Sequence, residues 1–331
     1  MKDRIVYVEN NFLDPYQSFG LEYYLTAEKT FDDSTVLLFW RTEPTLMVGR
    51  YQNTYSEINT EYADQKGINI GRRMSGGGTI YTDLGGWQFT FIEQGDSGDI
   101  QFEQYTRPVL EALRALDVPA AFNGRNDLLI DGRKFSGNAQ YKLGGCTVHH
   151  GSLLFDTDIA QMVASTTVDE YKIISKSIKS VRERVTNISE HLKAPMDAEA
   201  FKRHMVKYIM GGSEAVYALT DADKAAARAL ADEKFASWRS KYGMNPRFSL
   251  TKTGRFAGGR ITFCLDVKKG VIAGASVSGD FFAEARAETL ADALTGCAFE
   301  YDAILNRLKT CGYDGAIHAI SAADMAKTIT Q

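Results

Sequence analysis

The sequence predicts an α+β protein of two domains, a large one with mixed, partly antiparallel sheets and flanking helices and a small α+β module after it. Three observations carry this expectation. The length of 331 residues exceeds the roughly 250–300 at which a single hydrophobic core stops growing. The first half alternates short β-branched and aromatic runs with turn residues and helix-period stretches. Helical patterning later stops at Tyr242-Gly243-Met244-Asn245-Pro246, whose Gly, Asn and Pro do not easily continue a helix. The expected domains are 1–243 and 247–331.

Each element follows from its own pattern. Residues 4–8, 36–41, 45–49, 79–81 and 88–92 read as strands. Between them, residues 15–30 carry Phe19, Tyr23 and Ala27 at helical spacing, and residues 102–116 do the same with Tyr105, Val109, Leu113 and Leu116. Further strands are expected at 128–130, 134–139 and 147–155, the first two joined by Asp131-Gly132, the strongest short hairpin signal in the chain. Residues 197–241 turn helical, most clearly in the Ala-rich stretch 221–236. The small module reads as strands at 247–251, 259–267 and 271–277, then helices at 283–294 and 301–309.

Composition narrows the classes. Hydrophobic residues make up 44% and charged residues 24%, enough apolar material for packed cores. A formal net charge of -4 gives no basic field for nucleic acid, so any anion site must be local. Charges at Lys2, Asp3 and Arg4 stand where a signal peptide needs apolar residues, and no run reaches the roughly 18 apolar residues of a membrane span. The expectation is a soluble cytoplasmic protein with neither nucleic-acid nor membrane partner. Cys146, Cys264, Cys297 and Cys311 are widely spaced and read as reduced thiols.

The densest chemical signal is Arg72-Arg73-Met74-Ser75-Gly76-Gly77-Gly78-Thr79-Ile80-Tyr81. Three glycines without Cβ atoms let a ligand press on backbone N–H groups, and arginine adds a planar fork suited to phosphate or carboxylate. A flexible hairpin with solvated arginines is the alternative. No Gly-Lys-Ser/Thr follows, so the segment is not a Walker A loop. A second signal joins Gly124-Arg125-Asn126-Asp127 to an alternating strand in which small residues around Lys134 leave its ammonium access to a cleft. Asn126 and Asp127 could equally be turn caps. The third is His149-His150-Gly151, two histidines that a strand points to opposite faces and that cannot share one metal. Lys172, Lys176, Lys179, Arg182 and Arg184 follow as a basic stretch, either a solvated face or a loop over an anion.

Together, residues 72–84 (RRMSGGGTIYTDL), 124–128 (GRNDL), 132–139 (GRKFSGNA), 149–154 (HHGSLL) and 176–187 (KSIKSVRERVTN) resemble the ordered motifs of the lipoate-protein ligase A family. The C-terminal module, with Gly279-Asp280-Phe281-Phe282, is similar to the accessory domain of two-domain members. The resemblance implies the biotin/lipoyl-ligase, class II synthetase-like fold. It implies ATP-dependent activation of lipoate or octanoate as acyl-AMP, then transfer to a lysine of lipoyl domains of 2-oxoacid dehydrogenase complexes or the glycine cleavage H protein. Carried over position by position, Lys134 is the catalytic residue and meets both ATP and the acyl carboxylate. Arg73, Gly76, Gly77, Gly78, Thr79, Ile80, Tyr81, Asn126 and Asp127 are implied to bind ATP, and Ser75, Gly76, His150 and Gly151 the acyl substrate. Mg2+ is expected with the triphosphate, near Asp127 and without a dedicated protein cage.

The sequence departs from the family pattern at Thr82, where many members have His, at Gly86, where Asn is frequent, and at Ser177, where Lys-Gly is usual. An ATP-independent acyltransferase on the same fold would need an activated thiol. Residues 122–127 hold none, and Cys146 is the one thiol near the motifs. A non-catalytic lipoyl-binding paralogue is the remaining alternative.

Overall fold

The structure, a computed structural model, describes residues 2, 4–95, 100–166, 179, 181–237, 240–241, 250–268, 270–283 and 289–330. The chain packs as two compact units. The first comprises Met1–Met47, Glu57–Arg72 and Ile80–Lys241, and the second Val48–Ser56, Arg73–Thr79 and Tyr242–Gln331.

The first unit is built on strands β1 (Arg4–Val8), β2 (Ser34–Trp40), β3 (Thr45–Val48), β4 (Asn69–Arg72), β5 (Ile80–Thr82), β6 (Trp87–Gln94), β7 (Ala120–Phe122), β8 (Asp127–Ile130), β9 (Arg133–Leu143), β10 (Cys146–Leu153) and β11 (Val216–Tyr217). Eight of them form one sheet in the order β11-β1-β2-β6-β10-β9-β8-β7, and β4-β3-β5 form a small second one. β1 pairs parallel with β2 and β11, whereas β2-β6, β6-β10, β10-β9, β9-β8 and β8-β7 are antiparallel. The sheet is mixed, as the sequence predicts. Asp131 and Gly132 both have positive φ, 49° and 75°, the conformation a two-residue I′ hairpin needs.

Helices cover both faces of the large sheet. α1 (Pro15–Ala27) starts where the Asp14 carboxylate accepts the Tyr16 and Gln17 amides, with Pro15 supplying a φ already helical. α2 (Glu103–Arg114) and α4 (Ala198–Ile209) pack together over the other face, with α3 (Ile159–Thr166) between them in sequence. Strand alternation sorts the faces. Leu37, Phe39, Phe89, Phe91, Phe135 and Leu153 join Tyr105, Leu113, Phe201 and Met205 in the main core. The intervening Trp40, Thr90, Tyr141 and His150 point toward α1. The predicted helical region 197–241 is interrupted by β11 before α5 (Asp221–Leu230), which runs into a π-helical turn, Ala231–Phe235.

α5 is tied to the end of α1 by an ion pair whose carboxylate is buried and whose ammonium is partly exposed. Asp223 accepts from Lys29 Nζ (2.8 Å), the Tyr24 hydroxyl (2.8 Å), the Tyr217 hydroxyl (2.7 Å) and both the amide and hydroxyl of Thr220 (2.9 and 2.8 Å). Burial alone would raise its pKa. Lys29 and these donors outweigh burial and hold the carboxyl well below its usual range.

In the second unit, β12 (Leu250–Phe256), β13 (Gly259–Lys268) and β14 (Val271–Gly279) form an antiparallel meander. Ile261, Phe263, Leu265 and Ile272 face α6 (Leu290–Leu294), α7 (Tyr301–Thr310) and α8 (Ala322–Thr330) in a separate core. α8 is an element the sequence reading did not anticipate, and residues 284–288 of the expected helix 283–294 lie outside the described residues. No helix among the described residues is long and apolar enough to cross a membrane.

Candidate active site

Lys134 is the second residue of β9, and its main chain is held on both sides. Leu129 of β8 lies opposite, the Lys134 amide donates to the Arg184 carbonyl (2.7 Å), and the Lys134 carbonyl accepts the Thr186 amide (3.0 Å). The side chain is half-exposed, with Nζ 2.7 Å from Asp127 Oδ1 but off any hydrogen-bonding direction. A partly exposed pair of this kind contributes about 0–1 kcal/mol. Lys134 can therefore exchange Asp127 for an incoming anion at little cost. Asn126 is committed locally: its amide donates to the Asn138 carbonyl and Asn138 returns the bond to the Asn126 carbonyl, both at 3.1 Å.

On β10, the strand next to β9, the histidines separate as expected. His149 faces the core, stacked on Tyr105 at 4.8 Å, and burial beside His150 holds its pKa well below the usual value. It stays neutral. His150 faces α1, where Nδ1 lies 3.3 Å from both carboxylate oxygens of Glu22. Glu22 is only 4% exposed and also accepts from Thr90 (2.8 Å) and Tyr141 (2.9 Å). Burial raises the Glu22 pKa, but His150, Thr90 and Tyr141 more than offset it, and the carboxyl titrates below its usual value. An ionised Glu22 requires a proton on His150 Nδ1, which orients the ring on the α1 face of the sheet. Gly151 has no room for a side chain, since a Cβ there would lie 2.4 Å from both Asn138 Oδ1 and Phe89.

On β5, Ile80 pairs with Met47 and buried Tyr81 donates to Gln161 of α3. Thr82 accepts from Gln88 (2.8 Å) and meets Thr42 (3.3 Å) in a buried hydroxyl network. Gly86 abuts Thr157, whose Oγ1 would be 2.9 Å from a Cβ, so a larger residue needs local rearrangement there.

The triple-glycine segment belongs to the second unit. Arg73 curls into its own loop, donating from Nη2 to the Gly76 and Gly78 carbonyls (2.8 and 2.7 Å) and from Nε to Ser75 (3.1 Å). Thr79 donates to Gln52, which also accepts the Gly49 amide, each at 2.8 Å. The glycines press on the chain after β14. A Cβ on Gly76 would lie 2.1 Å from the Phe281 carbonyl oxygen, which accepts the Gly77 amide at 3.2 Å. Gly77 has φ 89° and packs on Phe282, whereas Gly78 meets nothing nearer than the Asp280 Cβ at 3.8 Å. Phe281 stacks on Tyr51 with centroids 4.7 Å apart.

The structure thus groups Asp127 with Lys134, Glu22 with His150, and Arg73 with Ser75, Gly76 and Gly78. Lys172, Lys176 and Ser177 lie outside the described residues. Glu22 and Gln52 escaped the sequence reading. The signal for Glu22 was a carboxylate three positions after Phe19, on the stripe α1 buries. Among the described residues no cluster of three or more His, Cys, Asp or Glu could cage a metal.

Comparison with known proteins matches this arrangement to one family. The description "Lipoyl protein ligase A/B catalytic domain" fits residues 14–210, and "Bacterial lipoate protein ligase C-terminus" fits residues 245–329. A lipoate-protein ligase of Bacillus subtilis is 38% identical over 311 residues, covering 92% of this chain and 94% of the relative. Lipoate–protein ligase 1 of Staphylococcus aureus is 37% identical over 297 residues, covering 89% and 90%. Among solved structures, P. falciparum LipL1 in complex with lipoate shares the fold at TM-score 0.77 and 21% identity, covering 92% of this chain and 94% of that one. A lipoate-protein ligase A bound with ATP does so at TM-score 0.61 and 22% identity, covering 74% and 100%. On its sequence and its fold, the chain belongs to the lipoate-protein ligase family and is an enzyme of the ligase class.

Proposed function

We propose that this ligase uses ATP to convert lipoate, or octanoate, to acyl-AMP and then transfers the acyl group to a lysine of a lipoyl-domain protein. The observation that carries the reading is Lys134, a backbone-anchored ammonium with a weakly held partner on the strand its family motif occupies. Two relatives in the comparisons were solved with ATP and with lipoate, and an archaeal ligase was described together with its E2 lipoyl domain. These support nucleotide, acid and partner alike. The acceptors we propose are lipoyl domains of 2-oxoacid dehydrogenase complexes and the glycine cleavage H protein, with reaction in the cytoplasm.

In the first step a lipoate carboxylate oxygen attacks the α-phosphorus and pyrophosphate leaves. In the second the acceptor amine attacks the acyl carbon, AMP leaves, and the amine loses its proton. Two like charges at about 4 Å repel by about 4 kcal/mol at an effective dielectric near 20, roughly a thousandfold in rate. Lys134 offsets that repulsion. We assign Arg73 and the Gly76, Gly77 and Gly78 turn, with Ser75, Thr79, Ile80, Tyr81, Asn126 and Asp127, to the nucleotide and acyl-adenylate. His150 and Gly151 are assigned to the acyl substrate. Mg2+ is expected to arrive on the triphosphate. Residues 1–243 then form the catalytic domain and 247–331 the accessory one. Lipoate-dependent exchange of labelled pyrophosphate into ATP, followed by acylation of a purified lipoyl domain, tests the scheme, and absence of exchange refutes it.

A thioester route through Cys146 is disfavoured, because burial raises the pKa of that thiol and leaves it protonated. Cys146→Ser is accordingly expected to retain exchange and transfer at close to the parent rates. A trapped acyl-thioester at Cys146 would reverse the assignment.

Glu22→Gln is expected to raise the KM for lipoate by about tenfold, since a hydrogen bond to a charged group contributes about 1.5–3 kcal/mol and the neutral amide no longer fixes the His150 tautomer. Exchange rates against lipoate concentration check this. An unchanged KM would detach the Glu22–His150 pair from the acid site.

A further inference from the structure

In a regular strand, residues three apart point to opposite faces. Lys134 and Gly137 break that rule. The register runs Asp127↔Gly137 and Leu128↔Ser136, then shifts to Leu129↔Lys134, so Phe135 is an extra residue of β9 and is wholly buried in the core. The bulge returns Lys134 to the face of Gly137 and Asp127, and its side chain lies lengthwise along the strand. A Cβ built on Gly137 would stand 3.1 Å from Lys134 Nζ, 3.3 Å from Lys134 Cε and 3.9 Å from Asp127 Oδ1. No backbone atom comes nearer than these. Gly137 also lacks a positive φ, so its backbone conformation does not call for glycine. Nor can the lysine yield through its main chain, which the Arg184 carbonyl and the Thr186 amide hold. What the missing side chain provides is the lane in which the ammonium lies.

We propose that Gly137 is a positioning residue for acid activation: its bare Cα lets the Lys134 ammonium lie along β9 beside Asp127, aimed where carboxylate and phosphate must meet. This rests on the assignment of Lys134 to the reacting anions. A methyl group at position 137 would stand 3.1 Å from Nζ and push the ammonium aside by a few tenths of an ångström while leaving its charge in place; a displacement of about 1 Å costs up to about a hundredfold, and this smaller one a part of that.

The experiment compares the parent chain, Lys134→Ala, Gly137→Ala and the double variant Lys134→Ala/Gly137→Ala. Lipoate-dependent pyrophosphate exchange gives kcat, titration calorimetry gives ATP binding, and thermal melting gives the midpoint. For Gly137→Ala the expected result is a kcat lower by about 3- to 10-fold with full ATP-binding stoichiometry. Alanine at 137 should lower the melting midpoint only where Lys134 is present, because that side chain is the first thing it meets. A glycine needed merely for packing would lower the midpoint equally in both backgrounds, and that result overturns the proposal. So does parent-like kcat in Gly137→Ala alongside an inactive Lys134→Ala, which leaves the lysine assignment standing. Exchange retained by Lys134→Ala removes the assignment and the proposal together. Should Gly137→Ala fail to fold, the double variant is expected to fold, and its failure as well would end the idea.

Discussion

Lys134→Ala is expected to lower lipoate-dependent pyrophosphate exchange by about a thousandfold or more in a chain that remains folded. The magnitude is that of the repulsion between two anions that nothing then neutralises. Folding should survive for a separate reason. The strand position is fixed by backbone bonds to Arg184 and Thr186, and the side chain's partner is the weak, partly exposed pair with Asp127. Lys134→Arg should also be inactive, because a planar fork cannot take the place of a compact ammonium in the lane beside Gly137. Exchange kinetics with a circular-dichroism melt check both variants. Parent-like exchange by folded Lys134→Ala would remove this residue from the chemistry.

Asp223→Ala is expected to cost about 1–3 kcal/mol, a fall in melting midpoint of about 2–9 °C, without altering the reacting groups. Removing one carboxylate takes the shared acceptor from the Lys29 ammonium and the Tyr24 and Tyr217 hydroxyls together, and removes a polar tie between α5 and the end of α1. The sign of the pH dependence follows from the depressed folded pKa of Asp223. Its stabilisation is fully present above the unfolded carboxyl value of about 3.9 and is lost as pH falls through that value toward the folded one. The gap in midpoint between parent and variant should therefore be constant near neutrality and shrink as pH drops below about 4. A gap independent of pH throughout the acid range would mean that Asp223 is not ionised in the fold.

Local chemistry made much of this protein legible. Asp131-Gly132 announced a turn that both positive φ values bear out, and the adjacency of His149 and His150 on a strand fixed their opposite faces before any partner was known. α1 begins at its Asp14 cap and Pro15. What could not be read depended on long-range meetings. Glu22 and His150 are 128 positions apart. β4 was missed because Asn69-Ile70-Gly71-Arg72 has no alternation, and β12 runs on through Gly254 and Arg255, residues that resemble a turn. In the sequence the triple glycine signals openness to a ligand. Gly76 lacks a Cβ because of the backbone at Phe281, some 200 residues later, and Gly77 because of its positive φ, with Arg73 and the Phe282 ring close on either side.

That packing bears on how the segment can drift under mutation. A run of three identical residues looks like one constraint repeated, yet the neighbours differ at each position. Gly76 is barred from any side chain by a carbonyl oxygen, and Gly77 by its backbone conformation and two flanking side chains. Gly78 faces ordinary contact at 3.8 Å and a backbone that alanine tolerates. In a saturation library sorted for folded protein, the first two codons should return glycine almost alone, and the third should return a mixture rich in alanine and serine. Because the wall against Gly76 is main chain, no substitution of Phe281 can relax it, and compensating change at that pair is closed to evolution.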